Sequence, residues 1–235
     1  LVAQVAADAG DDADRQPGTD QRRPLLDMRL QVAADLLGVE PRLAGLDRRR
    51  VEAGLADMRG QAAPGVDADA VVQLVARQQA EWWSQVANLT FAFNDALNAE
   101  IRITFDQNDG AWSYVGTDCR GIPLDQPTMN LGFLDGGTAG HEVGHAIGLA
   151  HEHQNPAGGI QWNEAVVIRE TAKSPNFWDE ATTRHNILNK YRADQINGTA
   201  FDPDSIMLYF FPPSWTLNGI GTQANEVLSA MDKAF

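Results

Sequence analysis

From Asp67 onward the alternation of apolar and polar residues predicts a regular series of elements. Val71, Val72, Val75, Trp82, Trp83 and Val86 recur near helical spacing, with Asp67 or Asp69 placed to cap the helix. Ile101-Arg102-Ile103-Thr104-Phe105 alternates with a period of two, the mark of a strand. Asp106 to Gly110 reads as a turn, and no glutamate follows at the distance a calcium loop requires. Further strands are expected over Ala111–Gly116 and Thr128–Phe133, and a helix over Thr138–Leu149 with Thr138 as its N-cap. A Gly/Pro loop at Asn155–Gly159 precedes helical patches near Glu164–Ala172 and Glu180–Lys190.

Upstream the pattern weakens. Val5–Asp14 is rich in Ala and Asp and runs into Pro17-Gly18, which predicts little order. Leu25–Leu37 and Arg48–Met58 read as helical patches separated by Pro41 and Gly45. Every aromatic residue lies from Trp82 onward, while nine of the 18 basic residues, all arginine, fall in the first 66 positions. A stretch without aromatics has little with which to build its own core. Residues 1–66 are therefore expected to be a leader, prosegment or docking segment, and residues 67–235 the domain that carries the chemistry.

Composition narrows the choice of partners. The 235 residues suit one large domain, and 43% hydrophobic content excludes disorder throughout. A net charge of −14 and a pI near 4.6 argue against nucleic-acid binding, which needs a basic patch. No apolar run reaches the length of a membrane span, and no signal peptide is visible. A start at leucine suggests that an upstream segment was removed or that the chain is a fragment. Cys119 is the single cysteine, so no intrachain disulfide can form, and it is expected to be a small buried hydrophobe. The oligomeric state is not legible.

Four of the five histidines fall between positions 141 and 153. His141 and His145, four apart on a helix, project from one face and can fill two neighbouring corners of a tetrahedral zinc site. Gly148 is suited to positive φ and so to ending the helix, after which the chain can turn and bring His151 to the same metal. A continued helix would put His151 on the opposite face. Three protein ligands leave one position for water, and Glu142 lies beside the site as a general base for that water. His153 is expected to support the loop rather than ligate, and His185 to be a surface or packing residue.

The run H-E-x-x-H-x-x-G-x-x-H over His141–His151 resembles the metzincin clan of zinc peptidases, and the following Glu152 makes it similar to the astacin family. Ser205-Ile206-Met207-Leu208-Tyr209 resembles the astacin Met-turn, with Leu208 in place of the usual histidine. The resemblance covers residues 70–233. It implies an α+β metzincin-like zinc peptidase domain, with a twisted mixed sheet, largely parallel with an antiparallel edge strand, a backing helix and a zinc-binding helix. It implies one catalytic zinc on His141, His145 and His151, and peptide hydrolysis through a water on that zinc activated by Glu142. Met207 would be the floor under the histidines, and Tyr209 a movable ligand that stabilises the oxyanion. Ala111–Gly116 would be the edge to which an extended peptide adds. In the family the counterpart of Glu152 contacts the N-terminus freed by activation. Substrates would be peptides or proteins, with no nucleic-acid or membrane partner, and the enzyme would be secreted. With one cysteine, the chain cannot form the disulfides of animal members, which points to a divergent, microbial branch. Two other readings are compatible with the site: a non-catalytic zinc- or peptide-binding protein, and a zinc hydrolase of non-peptide amides.

Overall fold

The computed structural model describes residues 28–33 and 68–235, apart from 97 and 175. Its elements are β1 (Met28–Ala33), α1 (Ala68–Ser84), β2 (Thr90–Asn94), β3 (Ile101–Thr104), β4 (Ala111–Ser113), β5 (Met129–Leu131), α2 (Thr138–Ala146), α3 (Glu164–Thr171), α4 (Glu180–Thr183) and α5 (Ala230–Ala234). They group into two compact units. One holds the described residues up to Ser113 together with Cys119–Val143, and the other holds Tyr114–Asp118 and Gly144–Phe235. Helix α2 runs unbroken from the first into the second.

In the first unit five strands form one mixed sheet in the order β2-β1-β3-β5-β4. The mixed sheet and its antiparallel edge strand β4 match expectation, but the balance differs. Only β3 and β5 pair in parallel, because β1 enters between β2 and β3 and pairs antiparallel with both. Residues 28–33, expected to be helical, are thus a strand. Met28, Leu30 and Val32 alternate with Arg29 and Gln31, a period of two that fits this outcome. The Arg48–Met58 patch and Asp67 lie outside the described residues. Strand β2 was not anticipated, although Phe91 and Phe93 alternate with polar or small neighbours.

Helix α1 forms where expected but ends at Ser84, so Val86 lies outside it and is exposed, and Trp82 is only half-buried. Val72, Val75, Ala76, Gln79, Ala80 and Trp83 are all buried, a stripe of i, i+3, i+4 and i+7 positions. Gln79 is the polar member of that stripe, and its amide is matched on both sides. It donates to the Gly136 carbonyl at 2.7 Å and accepts from the Gly140 amide at 2.9 Å. Trp83 adds an indole hydrogen bond to the Gly140 carbonyl at 2.8 Å. Helix α1 therefore backs the beginning of α2, and its polar groups set where α2 starts.

Strand β3 is buried on both faces, including Arg102. The Arg102 guanidinium donates to the carbonyls of Ala99, Ile122, Pro123 and Gln126, which ties the loop before β5 to the sheet. Asn130, fully buried on β5, accepts from the Thr104 hydroxyl and the Asp106 amide and donates to the carbonyls of Asp106 and Gly110. This side chain fastens the Asp106–Gly110 turn, and with it edge strand β4, to the sheet. The turn is the expected one, with the Asn108 amide bonded to Asp106 Oδ1 at 2.9 Å.

In the second unit Val167, Ile187 and Phe211 form a buried cluster joined by Trp162, Trp178, Leu188, Tyr209 and Trp215. The helix expected over Glu180–Lys190 is shorter. Asp179 caps α4, which then widens into a π turn over Arg184–Leu188. Cys119 is buried, as expected.

Candidate metal centre

Helix α2 begins with Thr138 as its first residue rather than as its cap. The His141 amide donates to the Gly137 carbonyl, and the Thr138 hydroxyl turns back to the Asp135 carbonyl at 2.6 Å. The helix stops at Ala146, short of the expected Leu149, because Gly148 adopts φ 109°, the positive φ that its place in the sequence predicts. The Leu149 amide bonds to the Gly144 carbonyl at 2.9 Å and the Gly148 amide to the His145 carbonyl at 2.8 Å. That double closure is a Schellman motif with glycine in the left-handed position. A Cβ placed on Gly116 would meet the Gly148 Cα at 3.4 Å, so two glycine backbones lie against each other where the chain reverses.

The reversal brings His151 to His145. The three imidazoles of His141, His145 and His151 are buried, and each offers a ring nitrogen within 4.8 Å of the others. His145 Nε2 and His151 Nε2 are 3.0 Å apart, close to the roughly 3.3 Å between neighbouring corners of a tetrahedral zinc site with bonds of about 2.0–2.1 Å. His145 Nδ1 bonds to the Leu149 carbonyl at 2.8 Å, which fixes the ring and leaves Nε2 for a metal. Burial lowers the His145 pKa to about 4, the Leu149 bond opposing and His153 adding to the shift, so the ring is neutral at pH 7 as a ligand must be. The donor set fits zinc.

Glu142 is buried one residue after His141 on the helix. The Tyr209 ring lies 4.3 Å from that of His151, centroid to centroid, and 5.2 Å from that of His153. His153 itself is fully buried. It stacks on His151 and bonds through Nε2 to the Asn186 carbonyl at 2.9 Å, the supporting position expected of it. Met207 is buried, and its carbonyl accepts from the Glu152 amide at 3.0 Å. The Glu152 carboxylate accepts from Asn155 Nδ2 and the Asp202 amide, while burial raises its pKa. Sequence reasoning did not find Gly116, Asn186 or the carboxylate of Asp232, which bonds to the Ser205 hydroxyl and the Ile206 amide. Each acts across a long sequence separation that no local pattern reveals.

Among the described residues, no helix is long and apolar enough to cross a membrane. The family model for Astacin, a peptidase family, matches residues 68–229. A solved structure of myroilysin is similar at 38% identity and a TM-score of 0.66, covering 69% of this chain and 83% of that one. The curated relatives include Astacin-like metalloprotease toxin 1 of Loxosceles intermedia, 31% identical over 52% of this chain, and Blastula protease 10 of Paracentrotus lividus, 29% identical over 46%. The chain matches only 42% and 19% of the lengths of these two proteins. With a family match across most of its length, over a helix and turn that bring three histidines together, the chain belongs to the astacin family of metallopeptidases.

Proposed function

We propose that the protein is a secreted zinc metalloendopeptidase, with one zinc held by His141, His145 and His151. The observation that carries this is the convergence of three buried imidazoles at coordination distance, on a helix that also carries Glu142. Bound there, zinc would polarise the scissile carbonyl and make water acidic enough to attack it near neutral pH. The Glu142 carboxylate takes the proton of the attacking water and delivers it to the leaving amine nitrogen. The Tyr209 hydroxyl donates to the carbonyl oxygen as negative charge develops there, a role supported by the packing of its ring on His151. Edge strand β4, which pairs with β5, is the strand that an extended peptide would prolong by backbone hydrogen bonds. Residues 67–235 form the peptidase domain on this reading, and residues 1–66 are a leader, prosegment or docking segment.

A fluorogenic peptide assay on the full chain, with elemental analysis, tests the proposal. Hydrolysis is expected to vanish with chelator and return with zinc. Glu142→Gln is expected to lower kcat by about 10²- to 10⁴-fold while keeping about one zinc per chain. Full activity in Glu142→Gln would refute the mechanism. Cleavage of small non-peptide amides with peptides left intact would refute the substrate class.

A further inference from the structure

Helix α5 opens on a capping box. Ser229 Oγ accepts from the amides of Met231 and Asp232, and Asp232 Oδ2 accepts from the Ser229 amide. A capping box needs one carboxylate oxygen. Asp232 uses both oxygens and spends most of their capacity outside the helix. Oδ1 accepts from the Ser205 hydroxyl at 2.7 Å, and Oδ2 also accepts from the Ile206 amide at 2.9 Å. Ser205 Oγ accepts from the Met207 amide at 3.1 Å, and the Met207 carbonyl accepts from Glu152, the residue after the third histidine. A second route runs beside the first. The Ser229 hydroxyl donates to Asp202 Oδ2, and the Asp202 amide donates to Glu152 Oε1.

The Ser205–Tyr209 turn needs these partners. It belongs to no helix or strand, so its amides have no ladder to join, and Ile206 and Met207 are 2% and 3% exposed. The Ser205 and Leu208 amides bond to the carbonyls of Asp202 and Ser205, but those of Ile206 and Met207 take side-chain acceptors, and Asp232 is the charged one among them. We infer that Asp232 is a positioning residue of the active site: its carboxylate fixes the Ser205–Tyr209 turn, and through that turn the placement of His151 and Tyr209. The last short helix is then part of the machinery although it touches neither metal nor substrate. The effect on turnover rests on the peptidase reading; the effect on the turn does not.

Two measurements on the full chain separate these. Amide hydrogen exchange of the metal-free protein reads the turn directly, and steady-state kinetics of the zinc-loaded protein reads its consequence. In Asp232→Ala, the amides of Ile206, Met207 and Glu152 are expected to exchange at least about tenfold faster. The kcat is expected to fall about 10- to 100-fold with KM changed less than about threefold, since Tyr209 acts in the transition state. Asp232→Asn keeps an acceptor for the Ile206 and Ser229 amides and is expected to recover most of both losses. Asp179→Ala removes a comparable exposed helix cap and is expected to leave exchange of the turn unchanged. Should Asp232→Ala not fold, Ser205→Ala severs the Oδ1 arm, and faster exchange of the Glu152 amide, which Ser205 does not touch, gives the reading. Unchanged exchange in the turn, a loss confined to KM, or equal loosening in Asp179→Ala would overturn the assignment. A wild-type protein without peptidase activity would sink the enzymatic reading, while the exchange result would still decide the role of Asp232.

Discussion

Replacing Gly148 by alanine tests whether the helix stop, rather than the histidines alone, makes the metal centre. Gly148 sits at φ 109°, where an L side chain is strained by about 1–3 kcal/mol. The turn is held by two backbone bonds, Leu149 amide to Gly144 carbonyl and Gly148 amide to His145 carbonyl, which limits how far it can relax. The cost can appear in two places. If the turn opens, His151 withdraws and the strain becomes a zinc dissociation constant about 5- to 150-fold larger, at tenfold per roughly 1.4 kcal/mol. If the turn holds, the fold bears the strain, and a domain of this size loses about 2–4 °C of melting temperature per kcal/mol. Zinc competition against a chromophoric chelator, paired with thermal melts of the metal-free protein, measures both. A variant with wild-type affinity and wild-type melting would refute the argument.

The remaining predictions concern pH and the edge strand. In the metal-free protein burial holds His145 at about 4 against 6.5 when unfolded, so the unfolded chain binds more protons between those values. Stability is therefore expected to fall as pH drops through that window, by up to roughly 3 kcal/mol, with the raised Glu152 opposing part of the loss. Urea midpoints at neutral pH and near pH 4.5 check this, and an unchanged midpoint contradicts the assignment of His145 as buried and neutral. Asn130→Ala removes four hydrogen bonds and strands the Asp106 amide, while the Gly110 carbonyl keeps the Gly132 amide, a loss of about 2–4 kcal/mol in denaturant titration. A loss below about 1 kcal/mol would show that the Asp106–Gly110 turn does not depend on that side chain.

What could be read in advance was local. The spacing of His141, His145, Gly148 and His151 encodes a helix, a stop and a reversal within eleven residues, and the structure folds them in that way. Helix α1, strand β3 and the Asp106–Gly110 turn follow for the same reason, since short-range periodicity and turn chemistry decided them. Failures occurred where distant pairing decides. Residues 28–33 could satisfy a helical or a strand pattern, and two antiparallel neighbours selected the strand. Arg102 alternates with isoleucines as though it faced solvent, yet it is buried among carbonyls some twenty residues away. Asp232 looks like an ordinary capping residue until the turn at Ser205 is placed beside it.

The position of β1 also bears on how the chain is made. This strand is the first described element to leave a ribosome, yet it pairs on both sides, with Met28 opposite Ile103 and Ala33 opposite Thr90. At about 5–20 residues per second, some 3–15 s separate its synthesis from that of its partners. Throughout that interval a strand destined for the middle of a sheet has two open edges, the arrangement most prone to pairing with another chain. The nascent chain thus exposes two edges of β1 that the finished sheet covers, an aggregation risk that passes once β2 and β3 have paired with it.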